Sequence, residues 1–147
     1  MNYRKISLSA MALALFVVTA PAFAAEDVKE SPHAAHMKKC AAVCTECAVH
    51  CESCAKHCLE LVAGGKKEHA KTAQFCADCA LCCKLCATLC SEQSPFSAAA
   101  AEFCAKCCDE CAAACEKFPD DKQMVACAKS CRDCAKECRD MVKMMKK

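Results

Sequence analysis

Twenty-one of the 147 residues are cysteine, and their spacing is regular. Cys40, Cys44, Cys47, Cys51, Cys54 and Cys58 step alternately by four and three. Cys76, Cys79, Cys83, Cys86 and Cys90 repeat the alternation, with Cys82 added. Cys104, Cys108, Cys111 and Cys115 follow, with Cys107 added, and then Cys127, Cys131, Cys134 and Cys138. Thiolate is a soft ligand and selects Cu(I), zinc or iron–sulfur clusters. Residues at i and i+4 of a helix have Cβ atoms about 5–6 Å apart, so two such sulfurs can turn together and pinch one ion. Cu(I) accepts two or three sulfurs and needs no tetrahedron. The pairs of this kind are Cys40/Cys44, Cys47/Cys51, Cys54/Cys58, Cys79/Cys83, Cys86/Cys90, Cys104/Cys108, Cys111/Cys115, Cys127/Cys131 and Cys134/Cys138. Sulfurs shared between monovalent ions also limit the negative charge that is buried.

Other cysteine chemistries fit less well. Zinc calls for tetrahedral sets, usually four ligands per ion, and zinc buffering stays open as an alternative. A disulfide-linked structural bundle is a second alternative. The cysteine count is odd, however, and neighbours on one helix face reach disulfide geometry only with distortion. Cys76, Cys79, Cys82 and Cys86 match a ferredoxin-type spacing, but no proline follows Cys86 and a rigid helix cannot wrap a cluster. The CxxC pairs Cys44/Cys47 and Cys131/Cys134 lack the βαβ context of a thioredoxin. No Ser/His/Asp set, phosphate loop or framed carboxylate pair is present, so the chain reads as a binding protein and not an enzyme.

The elements that position these thiols follow from the same spacing. A 3-4 alternation puts every member on one helix stripe, the inward seam of a bundle written in sulfur. Ser31-Pro32 starts a first helix with a cap and an N1 proline, and Gly64-Gly65 ends it. Ser94-Pro95 repeats the start for a third helix. Phe118-Pro119-Asp120-Asp121 breaks that helix and supplies acids for the first turn of a fourth. The helices are expected at 32–63, 67–92, 95–117 and 120–145. Short loops make neighbours antiparallel, giving an all-α, up-down-up-down four-helix bundle with a Cys-lined core.

Residues 1–24 read as a cleaved secretory signal. Arg4 and Lys5 precede the apolar run Leu8 to Ala20, and Ala22-Phe23-Ala24 is a small-x-small site. The run is short for a membrane span, so residues 25–147 are expected as a periplasmic or secreted domain with no membrane contact after cleavage. Arg4-Lys5 is not a twin arginine. Thiols tend to oxidise in that compartment. The whole chain has net charge +2, and cleavage removes two basic residues, leaving zero. No basic stripe points to nucleic acid. Residues 25–147 hold five Leu, six Val, four Phe and no Ile, so Cys and Ala must fill the interior.

The topology places the start of helix 1 beside the end of helix 4. His33, His36 and Met37 then share one end with Met141, Met144 and Met145, nearest Cys90, Cys104 and Cys138. Imidazole and thioether there could be transient Cu(I) ligands at a mouth, or methionine could be core filler. His50, His57 and His69 read as surface histidines.

A cysteine-lined four-helix bundle with repeated CxxxC pairs and a Met/His end resembles the exported branch of the bacterial copper storage proteins. The resemblance covers residues 25–147. It implies an antiparallel bundle whose inward thiolates bind many Cu(I) ions, with all the cysteines above as the store. It implies copper entering at one end, with His36 and Met37 as entrance ligands, and assembly as a homo-tetramer. The copper donor and acceptor are not indicated.

Overall fold

The cysteine register closes into four helices in the computed structural model, which describes residues 31–146. They are α1 (Pro32–Ala63), α2 (Ala70–Ser91), α3 (Ser97–Cys115) and α4 (Lys122–Met145). The proposed signal, residues 1–24, lies outside the described residues. Neighbours in the bundle follow chain order, and α4 closes the ring against α1. Antiparallel packing shows in the sulfur pairs. Cys40 near the start of α1 meets Cys138 near the end of α4, and Cys76 early in α2 meets Cys115 at the end of α3. No strand occurs among the described residues.

Local signals set the helix ends. Ser31 Oγ accepts from Ala34 N–H at 3.2 Å, as an N-cap with proline following. Gly65 ends α1 with φ +95, while Gly65 N–H reaches Val62 O and Lys66 N–H reaches Leu61 O. This paired 5→2 and 6→1 closure needs a left-handed residue, and glycine takes that conformation without a Cβ penalty. The same closure ends α2, with Gln93 at φ 51 in the left-handed position.

Three expected helix starts shift. Residues 67–69 form a 3-10 turn, so α2 begins at Ala70. The Ser94-Pro95 start does not cap α3 directly. Ser94 Oγ accepts from Phe96 N–H and its carbonyl accepts from Ser97 N–H, which makes a turn and delays α3 to Ser97. Asp121 does not lie in the first turn of α4. It stands one residue earlier as the cap, and its Oδ1 accepts from Gln123 N–H and Met124 N–H at 3.0 and 3.1 Å.

The interior contains little besides Cys and Ala. Alanine follows one cysteine of every seven residues: Ala41, Ala48 and Ala55 in α1, Ala80 and Ala87 in α2, Ala105 and Ala112 in α3, Ala128 and Ala135 in α4. All are buried. Interaxial spacing depends on side-chain size at the contact, so methyl groups beside the seam bring the helices close enough for their sulfurs to meet. Met124 and Met141, both on α4 and fully buried, bracket the cysteine column. Ion pairs tie the exterior. Arg132 grips Glu116 through Nε and Nη2 at 2.9 and 2.8 Å, joining α4 to α3, and Lys84 pairs with Glu52 between α2 and α1. Exposed pairs of this kind contribute little each.

Candidate metal centre

All the cysteines are free thiols, and all except Cys82 and Cys107 are buried. Every buried cysteine except Cys58 has another sulfur at 3.5–4.0 Å. The pinch expected within single helices forms in part. Cys40/Cys44, Cys79/Cys83, Cys86/Cys90 and Cys104/Cys108 stand at 4.0 Å and Cys47/Cys51 at 3.9 Å. The shortest approaches run between helices: Cys51 to Cys131 at 3.5 Å, and Cys44 to Cys134, Cys44 to Cys138, Cys79 to Cys108, Cys83 to Cys104 and Cys76 to Cys111 at 3.6 Å. The chemical unit is therefore a cluster across helices rather than a pair along one.

These clusters have an order. Groups of four sulfurs, mutually within 4.8 Å, are Cys40/Cys44/Cys86/Cys138, Cys44/Cys104/Cys134/Cys138, Cys47/Cys83/Cys108/Cys134, Cys47/Cys51/Cys79/Cys131 and Cys51/Cys111/Cys127/Cys131. Each group shares at least one sulfur with the next. The column continues through Cys76 and Cys115 to Cys54, at steps of 3.6–3.9 Å. Shared sulfurs are bridging ligands in waiting, and an ion can move along them by exchanging one bond at a time.

Packed thiols divide their protons unevenly. Cys40 is lowered to about 5, first by its contact with Cys138 and then by Cys44. Cys90 is raised to about 12, first by its contact with Cys40. Cys40 thus tends toward thiolate while Cys90 keeps its proton. Deeper in the column Cys47, Cys104 and Cys127 are lowered by neighbouring thiols, and Cys44, Cys51, Cys76 and Cys108 are raised by theirs. Cys58, apart from the column, is raised to about 11 by burial.

Residues expected at one end of the bundle lie beyond its last seam cysteines. Met37 sits one turn before Cys40, and Met141 one turn after Cys138; both are buried, and His36 above them is half-buried. His33 is exposed. Lys39 pairs with Glu137, a buried carboxylate beside Cys138 whose Oε1 has no partner. Nothing in the spacing marked Glu137 as buried. Midway along α1 His50 is exposed as expected, and nearer the other end His57 Nε2 meets Asp121 Oδ2 at 2.7 Å. His69 corrects its surface assignment. It is buried, because the 3-10 turn before α2 folds its ring against Phe118, at 4.2 Å between centroids. Its Nδ1 has no partner.

A family model described as copper storage protein matches residues 19–143. The chain belongs to the copper storage protein family. Among solved structures, the Cu(I)-bound copper storage protein BsCsp3 is 30% identical, with a TM-score of 0.68, covering 73% of this chain and 98% of that one. A Nitrosospira multiformis protein known from its crystal structure is 33% identical, with a TM-score of 0.65, covering 75% of this chain and 97% of that one. A comparison with curated proteins finds no match. The copper storage fold accounts for the bundle, and the family drawn from the cysteine register is borne out. Alanine was expected in the interior; its regular place one residue after a seam cysteine and the groups spanning several helices were missed. The repeated Cys-Ala dipeptide was the signal for the first. The second depends on the register between helices, which spacing within a helix does not contain.

Proposed function

We propose that this chain stores Cu(I) on its seam thiolates. The observation that carries the reading is the unbroken column of four-sulfur groups joined by shared sulfurs. Sharing suits an ion content with two or three sulfurs, because neighbouring ions can then use one thiolate in common. At the mouth, Met37 and Met141 are soft thioethers placed over the Cys40 thiolate, with His36 beside them. An arriving ion would bind there and pass from group to group. Each ion held by two thiols displaces up to two protons, so uptake is proton-releasing and weakens in acid. Filling also stabilises the bundle, because its preassembled sulfur groups bind Cu(I) more tightly than the scattered thiols of the unfolded chain. The role is storage without catalysis.

The reading extends to the cell. The sequence of residues 1–24 supports export to the periplasm or beyond. The family resemblance supports a homo-tetramer, to be checked by light scattering on a sizing column. Donor and acceptor proteins would exchange copper at the mouth.

The test is an anaerobic titration of reduced protein lacking residues 1–24 with Cu(I), against a coloured Cu(I) chelator. That chain has neither Trp nor Tyr, so copper–thiolate absorption in the ultraviolet is unobstructed. Roughly ten or more ions per chain are expected for soft multinuclear storage. Uptake of about one or two ions, as at an isolated soft-ligand site, would defeat it. Zinc is the competitor to include, because each group also offers the four sulfurs that a tetrahedral zinc site uses. Zinc retained against equimolar Cu(I) would replace the reading with zinc buffering.

A further inference from the structure

Two cysteines do not belong to the column. Cys82 and Cys107 are the additions to the 3-4 register, one on α2 and one on α3, and α1 and α4 have no counterpart. They are the only cysteines that are not buried. The fold brings them together. Both line one groove of about 500 Å³ between α2 and α3, walled by Phe75, Leu81 and Phe103 and edged by Asp78, Glu110 and Lys106. The two thiols thus share one groove. Two exceptions on separate helices that meet at one point form a pair, not a lone cysteine.

The groove also reaches the store. Cys79 lines it, and Cys79 belongs to the group Cys47/Cys51/Cys79/Cys131 and stands 3.6 Å from Cys108. Cys82 follows Cys79 by three residues and Cys107 follows Cys104 by three, so each outer thiol adjoins an inner one along its own helix.

We propose that Cys82 and Cys107 form a side port that takes Cu(I) from outside the bundle and passes it inward through Cys79. This rests on the storage reading. Two thiols bind one Cu(I) and give two protons to solvent, leaving a bis-thiolate copper unit. The ion then moves to Cys79 and Cys108, whose two protons pass to Cys82 and Cys107, and the port is ready again. No electron changes hands. The groove's chemistry selects this reaction. Two sulfurs suffice for Cu(I), whereas apolar walls disfavour a hard, strongly hydrated cation.

The experiment follows the initial rate of copper–thiolate absorption after mixing reduced protein with excess Cu(I) held by a chelator. C82S/C107S is expected to load about threefold or more slowly, within the span that changes at one docking site produce in association rates. Its final capacity should fall by about one ion at most, the content of a single two-sulfur site. Cys82→Ala and Cys107→Ala alone should each show the same slowing, which guards against misfolding of the double variant. Maleimide labelling of native copper-free protein should reach Cys82 and Cys107 before any other cysteine. An unchanged rate overturns the port. So does protection of both thiols, which would place them beneath a second subunit, or a Cys82–Cys107 disulfide in freshly isolated protein. Wild-type protein that takes up no copper defeats the storage reading itself. Wild-type protein that fills no faster than the variants defeats the port alone.

Discussion

The two ends of the column are built for different work. At one end the buried Met37 and Met141 stand one turn beyond Cys40 and Cys138 in the sequence, and Cys40 is lowered to about 5. Every sulfur there touches another, and the first four-sulfur group begins there. At the opposite end Cys58 has no sulfur within 4.0 Å, and burial raises its pKa to about 11. Around it stand hydrogen-bonded and aromatic groups: His57 with Asp121, and His69 against Phe118. The first end offers soft ligands and a ready thiolate. The second offers a helix cap and a closed floor. One repeated sequence pattern thus serves two purposes, and residues outside the pattern decide which.

The two fully buried methionines test the contrast most severely. Met124→Ala and Met141→Ala should each cost the copper-free bundle about 2–5 kcal/mol, the usual range for emptying a buried site of that size. Only Met141→Ala should also slow copper loading, because only Met141 lies over the mouth. Equal loading rates for the two variants, measured under conditions where both stay folded, would make Met141 filler and erase the difference between the ends.

The pH dependence of melting separates the ends by sign. Cys40 is lowered from the ordinary thiol value of 9.0 to about 5, so its stabilisation is present above pH 9 and is lost as pH falls toward 5. Cys58 is raised from 9.0 to about 11, so its contribution is full below pH 9 and is lost as pH rises toward 11. Anaerobic thermal melts of copper-free protein should show Cys40→Ala flattening the acid side of the profile and Cys58→Ala the alkaline side. Loss of the same limb in both variants would contradict the assignment.

The smallest effect belongs to the floor. Asp121→Ala removes the cap of α4 and the partner of His57, and should cost about 1 kcal/mol, typical of a lost N-cap. Copper capacity should not change. A loss of several ions on this substitution would mean that the floor takes part in storage, and denaturant unfolding with parallel titration distinguishes the cases.

The sequence made the seam legible because cysteine is rare in most chains and a 3-4 step has one structural meaning. Ser31-Pro32 and Gly64-Gly65 placed α1 to the residue. Ser94-Pro95 misled by two residues, since a serine before proline can close a turn as readily as cap a helix. His69 misled because its burial comes from Phe118, which lies 49 positions away in the chain. Glu137 was silent for a similar reason: a carboxylate between Lys136 and Cys138 reads as solvated until α1 brings Lys39 to it. Cys82 and Cys107 were visible as exceptions to the register, and their meeting in one groove depends on how α2 and α3 are rotated about their axes. Contacts along one helix can be read from spacing. Contacts across helices depend on the loops and on packing.

The alanine that follows one cysteine in every seven residues makes the store modular. A heptad is about 10 Å of helix, and on each helix it carries two seam cysteines and one small spacer. Lengthening all four helices by one heptad would add a complete storey of sulfurs with its own walls, joined to the old column without disturbing it. Shortening them would remove one as cleanly. Capacity in such an architecture is counted in storeys, and the height of the bundle sets it.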